Sequence, residues 1–504
     1  MNRSDPPLQG APFAFPRLTL FLAGFALILL QFFMIREISA LLKGTEIVIL
    51  MVTVAYFTGS SVGYGLAPHL SRRGVRIGAA ATLLIHLTLP FSLRWIGGWA
   101  ADYSFGATYA IALFVAAFLL SSFFSLLLPR FIDQAAGGEG DDPLLSLYSA
   151  ELAGAVAGAG AIWLVAPHGP FAITLLYEIV MAAVTALVMG NGPLSVAAAL
   201  AGVAGYALFF SPLWDGSLAY YYARLYPLRD PVPLYSAYSP YQKVDIVESA
   251  RGRRYIFLDG LQNYGDVDLS AFNAYLTGVP TTLNPQGKVL IIGSGSMESV
   301  AAASPVSASV TTVEIDAAVL AGARRWMADV NKLERATNWT PVIDDAKRYV
   351  GATDERYDIV ILDIPAPLSI QVGLLYSEDF FRLVRSRLAP GGILSVTLAG
   401  TFEPDEPTAR TVAAGLIRVF PQVVAYTPTW TGRSFALAGE KDAFTPEEAK
   451  EAVYGVEKGE FSFYDDAEVR AITGDKRPMT YDDMRYPVKR SMRRVIVRTW
   501  MGDR

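Results

Sequence analysis

The stretch KVLIIGSGSMESV, Lys288 to Val300, decides the fold. Its apolar residues run without alternation, as they do in a strand covered on both faces, and then break into a glycine-bearing turn and a helix. In α/β folds a nucleotide sits at such a turn, against the carboxyl end of the strand. Beyond it the pattern repeats: TTVEI, PVI, YDIVILD, ILSVTLA, QVVAYT and SFALAG are short apolar strands, most of them separated by helical stretches. Strands alternating with helices predict a parallel, doubly wound sheet.

The last pair, QVVAYTPTWTGRSFALAG, predicts a closing hairpin, which makes the sheet a Rossmann-like one of the methyltransferase type. Upstream, KVDIVES and RRYIFLDG sit among turn residues and predict a small antiparallel sheet. The apolar mass lies before residue 212, in runs at roughly 18–42, 46–68, 77–97, 107–129, 145–166, 170–189 and 193–211. Seven such runs in succession, each near the length that spans a bilayer, predict a multi-pass α-helical membrane domain. The expected organisation is a tail over 1–16, a membrane domain over 17–212, a linker and β subdomain over 213–285, a Rossmann-like domain over 286–445, and a helix with a basic tail over 446–504.

Composition agrees with two solvents. Of 504 residues, 52% are hydrophobic and only 18% charged, too apolar for a wholly water-soluble protein. There is no cysteine, so disulfides and thiolate chemistry are excluded. Three histidines, His69, His86 and His168, offer no metal cluster, and the net charge of −5 argues against nucleic acid as a partner. The first apolar run is too long for a cleavable signal peptide.

Four strand ends carry residues placed where the sheet would present them to a ligand. Gly293 and Gly295 follow the first strand, where a missing side chain admits a ligand to the backbone. Glu314 ends the second strand in VEID, the place from which a carboxylate grips ribose hydroxyls. Asp345, in VIDDAKRY, follows the third strand and is placed to accept from an adenine amino group, although an acid there also serves as a helix cap. Asp363 ends the fourth strand in VILDIPAP.

The segments SPYQKVDIVE, FLDGLQNYGDVD, KVLIIGSGS, VEID, DDAKRY, YDIVILDIPAP, LLYSEDFF and LAPGGILSV, with the closing ITGDKRPMTYDD, resemble the spermidine synthase (aminopropyltransferase) family in order and spacing. GTEIVILMVTVAYFTGSSVGYGLA and YSAELAGAVAGAGAIWLVAPHGP resemble the seven-span domain fused to some bacterial members. The resemblance implies transfer of an aminopropyl group from decarboxylated S-adenosylmethionine, or of an alkyl group from S-adenosylmethionine, to an amine. Methylthioadenosine would be the product of the first, with no tightly bound cofactor and no metal. It implies Gln242, Gln262, Glu314 and Asp345 at the nucleoside and Asp363 as the catalytic base. Soluble members commonly pair as homodimers.

The sequence departs from that pattern on the acceptor side. Ser296 stands where the family's loop has an aspartate, Ala366 where a second aspartate binds the acceptor, and Asp268-Leu-Ser-Ala-Phe272-Asn273-Ala274 replaces a segment with a tyrosine and two further polar groups. A dicationic acceptor needs counter-charges for its ammonium groups, so the expected acceptor is not plain putrescine. Asp266, Asp268, Phe272, Glu298, Ala366 and Tyr376 are the expected acceptor-pocket residues, with Asp266 and Glu298 as substitutes for the lost acids. Two other functions fit the same residues: a catalytically inactive scaffold or sensor, and a membrane binding or transport protein with a regulatory Rossmann domain.

Within the spans, Arg36 and Glu37 in FFMIREISALL and Glu151 in LYSAELAGAVAGAG are the charges to account for. They are either interfacial, with Arg36 pairing Glu151 across two helices, or a polar pocket for an amine or lipid-like substrate. His86 reads as a satisfied bundle histidine, and AGAVAGAGA as small-residue helix packing. Short-loop arginines and lysines (Arg3, Arg17, Arg72, Arg73, Arg76 and Arg130 against Arg36, Lys43, Arg94, Arg224 and Arg229) lean toward an external C-terminal domain. The basic tail carrying Arg485, Lys489, Arg490, Arg493, Arg494 and Arg498 suits the anionic cytoplasmic leaflet, and the donor is cytoplasmic. The expectation is an inner-membrane protein with its C-terminal domain in the cytoplasm.

Overall fold

The computed structural model describes residues 15–43, 46–101, 106–125, 143–189, 192–226, 228–265, 270–429, 432–456, 460–490 and 492–493. The described chain divides into two compact units, one ending at Tyr238 and the next beginning at Ser239. Arg494 and Arg498 of the basic tail lie outside the described residues.

The first unit holds helices α1 (Pro16–Leu42), α2 (Glu46–Leu66), α3 (Arg72–His86), α4 (Phe91–Ala101), α5 (Gly106–Phe124), α6 (Pro143–Val165), α7 (Pro170–Val188) and α8 (Pro193–Leu225), then strand β1 (Val232–Tyr238). Proline opens α1, α7 and α8 in the first turn, where its missing N–H costs nothing. Five helical stretches among the described residues are long and apolar enough to cross a membrane: Pro16–Leu42, Val48–His69, Leu144–His168, Pro170–Val188 and Pro193–Leu225.

One of the seven expected spans differs, and another is described only in part. The run at 77–97 is broken into Ala80–His86 and Phe91–Ala101, bent by 69°. Pro90 stands at the break, where a proline without an N–H ends the preceding turn. Of the fourth run, helix α5 is apolar, and residues 126–129 lie outside the described residues. The last helix also continues to Leu225, past the expected end at 211. The apolar run stops there, but Trp214, Leu218, Tyr221 and Tyr222 recur at helical spacing and are buried, so packing carries the helix on after its hydropathy falls.

The small-residue run in α6 works as expected. A Cβ on Gly154 would fall on the backbone oxygen of Phe21, and one on Gly158 on the Ile28 side chain; from α1, one on Gly24 would meet the Glu151 backbone. The two helices therefore touch through their backbones, which only glycine permits. Gly154→Leu is expected to destabilise the unit by roughly 1–3 kcal/mol, the cost of overpacking a closed contact. Unfolding in mixed micelles measures it, and Gly160→Leu, where an added Cβ meets nothing within 4 Å, is the control.

In the second unit β2 (Lys243–Glu248), β3 (Arg254–Leu258) and β4 (Leu261–Gly265) pair antiparallel, as the turn-bounded pattern predicts. Next come β5 (Lys288–Gly293), β6 (Ser309–Glu314), β7 (Trp339–Ile343), β8 (Tyr357–Asp363), β9 (Leu388–Thr397), β10 (Gln422–Pro428), β11 (Phe435–Gly439) and β12 (Phe461–Tyr464). They form one sheet in the order β12-β10-β11-β9-β8-β5-β6-β7. Strands β5 to β9 are parallel and β10, β11 and β12 antiparallel. The closing hairpin is present, and β12, which lies in the segment expected to be helix and tail, extends it by one strand. The order reverses beside β5, between β6 and β8, and that switch point is where an α/β sheet opens a crevice.

Candidate active site

Gly293, at the end of β5, has φ +91°, and a Cβ there would fall on the Asp363 backbone oxygen. The turn then passes through left-handed Ser294 and Met297 before the helix Glu298–Ala303. Ser294 N donates to the Asp363 backbone oxygen at 3.0 Å, tying the turn to the end of β8. From the small sheet, Tyr264 Oη donates to Asn331 Oδ1 at 2.9 Å, and Asn331 Nδ2 donates to the Ser296 backbone oxygen at 2.5 Å. The loop is held from two sides, so its conformation is set before any ligand arrives. A Cβ on Gly295 would come no nearer than 3.0 Å to Val319 Cγ1.

Glu314 ends β6 almost wholly buried, with 9% of its surface exposed, and its Oε1 accepts from Asp316 N at 3.0 Å. Burial, and then the charge of Asp316, push its carboxyl up to about 7, against the backbone N–H groups of residues 315 and 316. Asp316 is itself the hub for two residues of the SPYQ segment. Ser239 Oγ donates to its Oδ2 at 2.7 Å and Gln242 Nε2 at 3.1 Å, while Oδ1 caps the next helix through Ala318 N. The structure thus brings Gln242 beside the β6 end. Asp345 caps the helix Ala346–Ala352 through Lys347 N and Arg348 N, with Oδ1 taking both bonds. Gln262 stands exposed on β4, and among the described residues no hydrogen bond ties it to the other candidates.

Asp363 ends β8 in a network that sequence reasoning missed. Ser299 Oγ lies 2.5 Å from both Asp363 Oδ2 and Asn273 Oδ1, and Asn273 Nδ2 lies 2.6 Å from Glu298 Oε2. A serine hydroxyl has one proton to give, and an amide has one donor end and one acceptor end. If Ser299 donates to Asn273, Asp363 must hold a proton to bond Ser299. If Ser299 donates to Asp363, the amide turns its donor to Ser299, and Glu298 must hold the proton. With a proton on Asp363 or on Glu298, every contact of the network becomes a hydrogen bond. The environments of the two carboxyls agree: burial raises Asp363, while burial and then the Asp363 charge raise Glu298 to about 7. The pair titrates as a unit.

A π-helical turn, Ala274–Gly278, follows Asn273 directly. Such turns insert a residue into a helix and re-aim its side chains. The signal was in the sequence, at the position of the polar groups that Asn273 replaces, but an amide there carried no chemistry by itself.

The remaining acceptor-side candidates divide. Glu298 joins the Asp363 network, and Ser296 Oγ accepts from Glu298 N at 3.3 Å, so the serine serves the helix end. Tyr376 is fully buried and its hydroxyl donates to the Ile364 backbone oxygen at 3.3 Å, one residue beyond Asp363. Ala366 follows in the same loop without a polar group. Phe272 is a packing residue: its ring sits 5.0 Å from Phe435, and the Arg433 guanidinium lies over it at 5.4 Å. Asp266 and Asp268 lie outside the described residues. No group of three or more metal-ligating side chains occurs among the described residues.

Glu37 is buried rather than solvated, and it pairs with Arg94. Arg94 Nε and Nη2 bond Glu37 at 2.8 and 2.7 Å with both side chains buried, and Arg94 stacks on Trp214 at 3.8 Å. Ser217, and Tyr238, whose hydroxyl also bonds Glu37, complete the cluster. Arg36 lies over the Phe32 ring at 5.6 Å, and Glu151 sits within electrostatic reach of Tyr56 and Tyr64. Arg94, buried on Glu37, therefore drops out of the count of loop charge.

Fold and strand-end geometry together define a doubly wound α/β protein of the methyltransferase type. The spermine/spermidine synthase domain family matches residues 270–448. A polyamine aminopropyltransferase of Pseudomonas aeruginosa is 33% identical over 215 residues, 41% of this chain and 73% of the relative. One of Thermoplasma volcanium is 28% identical over 222 residues, 42% and 80% of the two chains. A third, of Oceanobacillus iheyensis, is 29% identical over 211 residues that make up 40% of each chain. The chain belongs to the spermine/spermidine synthase family, a family of transferases.

Proposed function

We propose that this protein is a membrane-embedded aminopropyltransferase whose acceptor presents a single ammonium group to the site. The observation that carries the reading is the hydrogen-bonded network of Asp363, Ser299, Asn273 and Glu298 at the switch point of the sheet. Gly293 and Gly295 admit the donor to the turn, Glu314 takes the ribose hydroxyls, and Asp345, with Gln242 behind Asp316, closes the nucleoside end. The amine lone pair attacks the aminopropyl carbon, the carbon–sulfur bond breaks, and methylthioadenosine leaves with the electron pair. The proton lost by the amine passes to Asp363, whose raised affinity for it suits a base working near neutrality.

The acceptor class follows from charge. Among the described residues, Ser296 and Ala366 bring no carboxylate to the acceptor side, and Asp363 is engaged as the base, which leaves few counter-charges for an acceptor that arrives with two ammonium groups. Placement in the bilayer is supported by the five long apolar helices, and the C-terminal unit is assigned to the cytoplasm because its donor is found there. Incubating the detergent-purified full chain with decarboxylated S-adenosylmethionine and a panel of mono- and diamines tests the reading. Methylthioadenosine release is expected with a monoamine in preference to putrescine. No release with any amine overturns the activity, and preference for putrescine overturns the acceptor class alone.

Glu314 adds a pH dependence. Its carboxyl is neutral below about 7 in the empty site, and only the ionised form accepts from both ribose hydroxyls. Nucleoside binding therefore releases a proton, strengthens as pH rises through about 7, and levels off above it, falling roughly tenfold per unit well below. Calorimetry of methylthioadenosine across that range measures it, and Glu314→Gln should flatten the curve.

A further inference from the structure

The first unit contains a second buried acid, and it is held quite differently from Glu37. Glu178, on α7, has no exposed surface, and neither carboxyl oxygen has a hydrogen-bond partner among the described residues. Glu37 meets an arginine; Glu178 meets aromatic and hydroxyl side chains. It lies within electrostatic reach of Tyr177 and of Tyr206 on α8, and Tyr206 in turn feels Arg94 and Glu37. An ionised carboxylate is costly to leave unpaired in a helical interior.

The backbone beside it is irregular. The 69° break between α3 and α4 falls at residues 87–90. Tyr206 Oη donates to the Leu89 backbone oxygen at 3.0 Å, which fills one bond that the break leaves open. His86, the last residue of α3, bonds the hydroxyl of Tyr177, the neighbour of Glu178. Non-helical backbone at membrane depth is tolerated where protein or a polar cavity satisfies it, and broken helices are where membrane carriers place ion sites. The titratable groups brought onto α7 are Glu37 from α1, His86 from α3, Tyr206 from α8 and Tyr238 from β1, with Arg94 as the nearby fixed cation. Glu151 on α6 interacts instead with Tyr56 and Tyr64 of α2.

We propose that Glu178 is a proton-exchanging site of the membrane unit, set beside the broken α3–α4 span, with Tyr177, His86 and Tyr206 as its neighbouring hydroxyl and imidazole groups. The ligand is a proton, and the step is its transfer to and from one carboxylate oxygen with no other bond changed. A membrane unit with such a site has a proton-linked role of its own, separate from group transfer in the second unit.

Infrared difference spectra of the full chain in lipid, taken between acid and alkaline pH, test this directly. The wild type should show a protonated-carboxyl stretch that vanishes on raising pH and is missing from E178Q. E178Q keeps the shape of the neutral acid and should melt no lower than the wild type at acid pH. Should E178Q fail to fold, E178D serves in its place and must shift the band and its midpoint. Superimposable wild-type and E178Q difference spectra overturn the proposal. So does a protonated-carboxyl band, absent from E178Q, that persists in the absolute spectrum of the folded wild type at alkaline pH, since Glu178 is then a fixed neutral residue; an E178D band and midpoint equal to wild type overturn it as well.

Discussion

Asp363→Asn is expected to lower aminopropyl transfer by about 10²–10⁴-fold, the usual contribution of a positioned general base, while methylthioadenosine binding stays within a few-fold of wild type. Asparagine has nearly the same shape and can still accept from Ser299, so the 2.5 Å contact and the local fold survive. What disappears is the group that takes the proton from the attacking amine. The loss should fall on kcat, because the base acts in the transition state and contributes little to holding the nucleoside. The pH–rate profile should also change. In the wild type the Asp363–Glu298 pair titrates as one unit, and in the variant only Glu298 remains, relieved of the neighbouring charge that raises it. Its midpoint should therefore move down from about 7. Unchanged turnover in Asp363→Asn would remove the base from the account.

Gly293→Val is expected to abolish nucleoside binding and to destabilise the second unit by roughly 2–5 kcal/mol. Two terms add. A left-handed backbone costs a residue with a Cβ roughly 1–2 kcal/mol, and the added atoms fall on the Asp363 backbone oxygen and near Ile364, an overpacking of roughly 1–3 kcal/mol. Relief can come only by pushing the ends of β5 and β8 apart, which moves the turn that receives the donor and the base together. Gly295→Ala is the graded comparison. Its nearest contact is Val319 Cγ1 at 3.0 Å and its backbone is not left-handed, so a side-chain adjustment of a few tenths of an ångström should suffice. Calorimetric titration and thermal unfolding of the two variants give the ordering.

Most of the sheet was legible because a strand buried on both faces writes itself as an apolar run, and KVLIIG, YDIVILD and ILSVTLA each became the strand they predicted. The hairpin followed from two such runs around TPTWTGR. Residues that act through neighbours distant in sequence were not legible. Arg94 looked like a loop charge because nothing local says that Glu37, 57 positions away, is its partner. Ser299 and Asn273 are polar residues of no special type until the fold brings them between two carboxyls. Asp345 shows the opposite limit: a helix cap and a ligand acid need the same residue at the same place, and its Oδ1 is in fact a cap. The end of α8 was misjudged because hydropathy marks where lipid stops and a helix stops where packing does.

The central claim is that the switch-point crevice binds a nucleoside donor through Glu314. Its most direct test is calorimetric titration of the detergent-purified full chain, wild type and Glu314→Ala, with methylthioadenosine and with decarboxylated S-adenosylmethionine. Both ligands should bind the wild type, and both should weaken by about 10–100-fold in the variant, the value of hydrogen bonds to a charged group. Folded wild-type protein that takes up neither ligand would contradict the account.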